Sequence, residues 1–207
     1  IPRTLALMIY GDLDLSVIDQ LPPGRTPVDT MLIGEDKRQR LYGFVRKQVG
    51  LGRQVYIVCP AVDQEDEEGM KAAEQFGRTL QKQVFPDLRV AIVHGKMKAA
   101  DKQGVMASFA SGETDVLVST TVIEVGVDVP NASLMIIENA DRFGLSQLHQ
   151  LRGRVGRSTR HAYAYFTYKP DKNLTEIAEK RLSAVRDFAE FGSGFKIAMR
   201  DLEIRGA

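Results

Sequence analysis

DVLVSTTVIEVGVDVP, Asp115 to Pro130, sets the fold of this chain. Val116 to Ser119 read as a short strand buried on both faces, and two threonines, a glutamate, a glycine and an aspartate follow before Pro130 closes the unit. Buried strands of this kind belong to parallel sheets whose two faces are both covered. Downstream, QLRGRVGR, Gln150 to Arg157, sets Arg154 and Arg157 three residues apart between Gly153 and Gly156. The glycines remove side-chain bulk, and the spacing predicts that both guanidinium groups share one face of a helical turn and converge on a single anion. A solvated basic helix end is the alternative for an isolated pair of this spacing.

Outward from these stretches, Val55 to Val58, Leu88 to Val93, Leu134 to Ile137 and Tyr163 to Thr167 are further strands. Between them, Leu41, Phe44, Val45, Gln48 and Val49 keep helical spacing up to Gly50, as do Met70, Ala73, Phe76, Leu80 and Val84. A third helix carries Val105, Met106 and Phe109 inward and ends at Gly112, which has the place of a left-handed cap. Asn173 and Glu176 have capping-box spacing ahead of a helix with Ala178, Leu182, Val185 and Ala189 on one face. The order β-α-β predicts an α/β, doubly wound, mostly parallel sheet with helices on both faces and a C-terminal helical extension. Leu21 to Val28, LPPGRTPV, has the proline and glycine density of a rigid linker.

With 207 residues and 43% hydrophobic content the chain can bury a full core. The balance of 28 basic against 27 acidic residues excludes binding of nucleic acid by bulk charge and leaves local patches to do it. Acidic residues gather at Asp63 to Glu68, where they suit the start of a helix, and basic ones from Arg142 to Arg160. Cys59 is the only cysteine, which leaves neither disulfide nor metal cluster to expect and fits a reducing compartment. No apolar stretch has the length of a membrane span and the first residues are no signal peptide, so a cytoplasmic location is expected. The first residue is Ile1, not methionine, and the chain reads as part of a longer polypeptide.

STTVIEVGVDVP and QLHQLRGRVGR resemble motifs V and VI of superfamily 2 helicases, and HGKM, His94 to Met97, resembles a further block of the second RecA-like lobe of those enzymes. Ile1 to Arg25 and Glu138 to Arg157 resemble the RecG branch of double-stranded DNA translocases, whereas the tail from His161 to Ala207 is closer to Mfd, the transcription-repair coupling relative. The resemblance implies a connector from a preceding motor lobe over residues 1–28, the second RecA-like lobe over 29–170, and the start of a translocation hairpin over 171–207. No GxxxxGK[ST] loop and no DExH box occurs in the chain. The parts that hold ATP and Mg²⁺ therefore belong, by the resemblance, to a first RecA-like lobe of the same polypeptide, and the chain alone is expected to be inactive.

The same resemblance assigns roles. Arg154 and Arg157 become arginine fingers on the γ-phosphate, with Arg157 foremost, and Gln150 couples nucleotide state to lobe closure; an ordinary helix-surface amide is the alternative for Gln150. Gly126 and Asp128 meet the nucleotide, or else form a simple turn at a strand edge. Thr120, Thr121, His94, Gly95 and Lys96 contact DNA phosphates, although paired threonines after a strand also follow from β-propensity alone. Glu124 links the two sides or is a plain surface carboxylate, and Arg3 couples the lobes. Arg142, Phe143 and His149 fall just before motif VI, in reach of DNA or of the lobe interface, while Tyr163 and Tyr165 are packing residues rather than stacking platforms. No metal ligands are assigned.

The partner implied is duplex, forked or branched DNA tracked by its backbone. The activity implied is that of an ATP-dependent helicase or translocase of RecG type, remodelling forks and migrating branches in repair and recombination. An Mfd-type translocase acting on RNA polymerase is the alternative within the superfamily. From other classes, a non-catalytic nucleic-acid clamp and an anion-binding regulatory domain remain open.

Overall fold

The computed structural model describes residues 27–60, 67–120, 129–168, 176–187, 200 and 203–204. They form one six-stranded sheet: β1 (Val28–Gly34), β2 (Gln54–Cys59), β3 (Val90–Val93), β4 (Val116–Thr120), β5 (Ala132–Ile137) and β6 (Ala162–Tyr168). The spatial order is β1-β6-β5-β2-β4-β3, and every neighbouring pair is parallel. All strands therefore end on one rim of the sheet and begin on the other.

Helices α1 (Arg38–Gly50), α2 (Glu67–Thr79), α3 (Ala99–Ala110), α4 (Leu145–Arg152) and α5 (Glu176–Asp187) cover the two faces. Alternation along the central strands decides which residue meets which layer. Val55 and Ile57 of β2 pack with Leu41 and Val45 of α1 and Ala73 of α2, whereas Tyr56 and Val58 pack with Phe109 of α3, Leu148 of α4 and Val185 of α5. Because both faces are covered, β2, β4 and β5 are buried along their whole length, which is why they read as continuous apolar runs.

Gly112 adopts the left-handed conformation expected of it, at φ 81°. The second helix pattern holds through Thr79, but Leu80–Val84 form a π turn closed by a Phe85 N–H to Leu80 carbonyl bond of 2.6 Å. β1 is a correction to the sequence reading, which ended a linker at Val28. Its residues from Val28 to Leu32 alternate between half-buried and exposed at a sheet edge, where a single neighbour, β6, is needed, so no continuous apolar run marks it. Phe44 lies against Tyr163 and Tyr165 with ring centroids 4.9 and 5.4 Å apart, so both tyrosines are packing residues. No helix among the described residues is long and apolar enough to cross a membrane.

Candidate nucleotide and DNA interface

The parallel sheet sorts the candidate residues onto opposite rims. His94, Gly95 and Lys96 follow the last residue of β3, and Thr120 is the last residue of β4, so this group lies on the rim where strands end. Arg154 and Arg157 lie in the connection from α4 to β6, on the rim where strands begin. That connection is tied to the start of β5: Arg160 donates to the Asn131 side-chain carbonyl, and the Asn131 amide donates to the Gly52 carbonyl at 3.0 Å and to Gln54 Oε1 at 3.1 Å. With strands of four to seven residues, the two rims are about 15–20 Å apart.

The arginines do not share a helical face, which corrects the expectation from their spacing. α4 ends at Arg152, Gly153 caps it, and Gly156 turns the chain at φ 76°. Arg157 folds back so that its Nε donates to the Gly153 carbonyl at 3.2 Å. The half-buried Arg154 guanidinium has no hydrogen bond or ion pair among the described residues. Gln150 is exposed on α4.

On the other rim, Lys96 is exposed and forms an ion pair with Glu67 in the first turn of α2. His94 is half-buried, with Nδ1 out of contact with solvent and of any partner among the described residues. Thr120 departs from its expected role. As the last residue of a strand flanked on both sides, it is 1% exposed, and its hydroxyl is buried without a partner among the described residues, so it is not presented to a backbone phosphate. Thr121, Glu124, Gly126, Asp128 and Arg3 lie outside the described residues. Phe143 is core, 2% exposed. His149 turns inward, with Nδ1 3.0 Å from Arg152 Nη2, and burial followed by the nearby Arg152 charge lowers its pKa to about 4. Arg152, itself buried, also donates to the Val185 carbonyl of α5 at 2.9 Å.

A buried charge cluster that spacing does not reveal sits where β5 ends. Glu138 accepts from Arg38 Nη1 at 2.5 Å and from the Thr167 hydroxyl at 2.7 Å. Thr167 in turn accepts the Asn139 N–H at 3.2 Å, and Asn139 is left-handed at φ 47°. Arg38 also binds Glu35 through Nε at 3.1 Å and Nη2 at 2.8 Å. Burial pushes the Arg38 guanidinium down, but the Glu35 and Glu138 carboxylates outweigh it and hold its pKa above the usual arginine value. The cluster pins α1 to the point where the chain leaves β5 for α4. One sequence signal marks it: a glutamate directly after the wholly apolar run LMII.

A profile of the helicase conserved C-terminal domain matches residues 36–159, well over half of the chain. The chain belongs to that family. As a helicase C-terminal domain it is 53% identical over 207 residues to the ATP-dependent DNA helicase RecG of Pasteurella multocida, covering all of this chain and 29% of the relative. It is 47% identical over 206 residues to RecG of Thermotoga maritima, of which it covers 26%. The transcription-repair-coupling factor of Bacillus subtilis is 52% identical over 207 residues, 17% of its length. The chain thus spans less than a third of the relatives it matches. Among solved structures, RecG bound to a three-way DNA junction superposes on the whole chain with a TM-score of 0.76 at 47% identity, over 26% of that chain. The second domain of the DEAD-box helicase Mss116p bound to an RNA duplex matches at a TM-score of 0.60 and 18% identity, over 86% of this chain and 69% of that one, and shows the shared RecA-like fold.

Proposed function

We propose that this helicase C-terminal domain is the second motor lobe of an ATP-dependent double-stranded DNA translocase of RecG type, working in the cytosol on forked and branched DNA. The observation that carries the proposal is the separation of arginines and strand-end residues onto opposite rims of one rigid sheet. Arg154 and Arg157 complete, from the rim where strands begin, a nucleotide site whose phosphate loop and magnesium ligands lie in a preceding lobe of the same polypeptide. A half-buried guanidinium at Arg154 suits that task, since it is oriented by packing and unspent on any neighbour among the described residues. Gly126 and Asp128 serve the same nucleotide and Gln150 on α4 reports the state of the cleft. His94, Gly95 and Lys96 meet DNA phosphates at the far rim, with Thr120 behind them; Thr121 serves the same DNA contact, and Glu124 and Arg3 couple the nucleotide and DNA functions.

Residues 1–28 then connect the lobes, 29–170 form the lobe and 171–207 open a translocation element. Closure of the cleft on ATP and reopening after hydrolysis move one rim against DNA. Arg157→Ala in the full-length protein carrying this chain lowers DNA-stimulated ATP turnover by about 10³ to 10⁵ while leaving nucleotide affinity largely intact. Turnover near the wild-type rate would disprove the finger assignment. The identity of 52% to a transcription-repair-coupling factor favours one second reading, an Mfd-type translocase. Displacement of a stalled RNA polymerase by the full-length protein, without activity on branched DNA, would select it.

A further inference from the structure

Connections leave the central strands in opposite directions. β2 continues towards β3 on one side of the sheet and β5 towards β6 on the other, which makes the rim between their ends a topological switch point. Crevices at such points, outside the carboxyl ends of parallel strands, are where open α/β sheets take ligands. Here a cleft of about 270 Å³ opens there, walled by the first turns of α1 and by α2. It shares the rim of His94 to Lys96 and lies away from the arginine connection.

Its chemistry selects among ligands. Two cations, Arg38 and Arg142, face two carboxylates, Glu35 and Glu138, so the lining favours neither an anion nor a cation. Arg38 is held by both carboxylates with its guanidinium carbon 5.8 Å from the Tyr42 ring centroid, which presents a flat, neutralised surface rather than a phosphate clamp. The Asn139 carboxamide and the exposed Arg142 guanidinium have no partner among the described residues. A planar, neutral group with a hydrogen-bonding edge fits this lining, because rings stack on aromatic and guanidinium planes while an amide reads donors and acceptors.

We propose that the cleft seats one unpaired nucleobase of a branched DNA strand, with Asn139 at its edge and Arg142 at the adjoining phosphate. This rests on the DNA-binding function proposed above. The test uses the full-length protein and a fluorescent three-way junction in which nucleotides at the branch point are replaced, one at a time, by abasic sites, with binding followed by anisotropy at fixed salt. Loss of the seated base weakens wild-type binding about tenfold, the scale of one stacked base. Ala72 lines the cleft from the exposed side of α2, where leucine keeps the helix. Ala72→Leu weakens binding of the intact junction to a similar degree and becomes indifferent to the abasic site, while Ala72→Ser behaves as wild type. No abasic position with more than a twofold effect, or a leucine variant that keeps the wild-type base dependence, overturns the pocket while leaving the function standing. A wild-type protein that binds no branched DNA overturns both.

Discussion

Arg38→Met isolates a buried carboxylate. In the native cluster the Glu138 side chain is 7% exposed and takes a charged bond from Arg38, itself 15% exposed, and a neutral one from Thr167. Removal of the guanidinium leaves Glu138 with the hydroxyl alone, whereas Glu35, 49% exposed, simply turns to water. An uncompensated buried charge costs about 3–5 kcal/mol, and the partial wetting at Arg38 places this case near 3 kcal/mol. For a chain of this size that lowers the unfolding midpoint by about 6–12 °C. Glu138→Gln is milder, about 1–2 kcal/mol, because Arg38 keeps Glu35 and the amide still accepts from Thr167. The double variant removes both charges and is more stable than Arg38→Met alone. Thermal unfolding followed by circular dichroism at neutral pH, in a double-mutant cycle, measures the coupling. An Arg38→Met midpoint within about 2 °C of wild type, or a double variant whose loss equals the sum of the two singles, would refute the reasoning.

Gln54, 3% exposed, donates to the Phe109 and Thr114 carbonyls at 2.5 and 2.8 Å and accepts from Asn131. Gln54→Leu strands all three and costs about 2–4 kcal/mol by urea unfolding; a loss under about 1 kcal/mol would contradict the bonds. A Cβ at Gly77 would stand 2.6 Å from Ile92 Cγ1, so Gly77→Ala costs about 1–3 kcal/mol despite its better helix propensity, and Ile92→Ala in the same chain relieves part of that loss in a melting experiment. His149 titrates near pH 4 when folded, against about 6.5 when unfolded, so the unfolded chain holds its proton more tightly. Its contribution is intact above about pH 6.5 and is lost as pH falls towards 4, about 1–2 kcal/mol after allowance for its partial exposure; a His149→Gln variant whose stability keeps the wild-type slope across that window would contradict this.

The central strands are legible because burial on both faces leaves an unbroken apolar run, a pattern that no half-exposed element carries, as Val116 to Ser119 illustrate. β1 is hidden since one neighbour and an exposed alternate face allow Asp29 and Thr30 into it. Spacing alone misplaces the arginines: a helical period presumes that the helix continues, and Gly153 and Gly156 stop it. Arg38 with Glu138, and Lys96 with Glu67, join residues 100 and 29 positions apart. Nothing local encodes such pairs, whose partners are chosen by which strand ends meet on a rim.

Among the described strands, the first depends on the last. Among the described residues β1 bonds only to β6, Val28 opposite Ala162, so the ribosome must complete nearly the whole domain before that edge can close. At roughly 5–20 residues per second the wait is on the order of ten seconds. For that interval β5, later the inner neighbour of β6, is the outermost strand and bears the open backbone groups that invite mispairing. Synthesis interrupted before Ala162 would release a sheet with an apolar flank, a state for which chaperone binding, rather than intrinsic stability, decides survival.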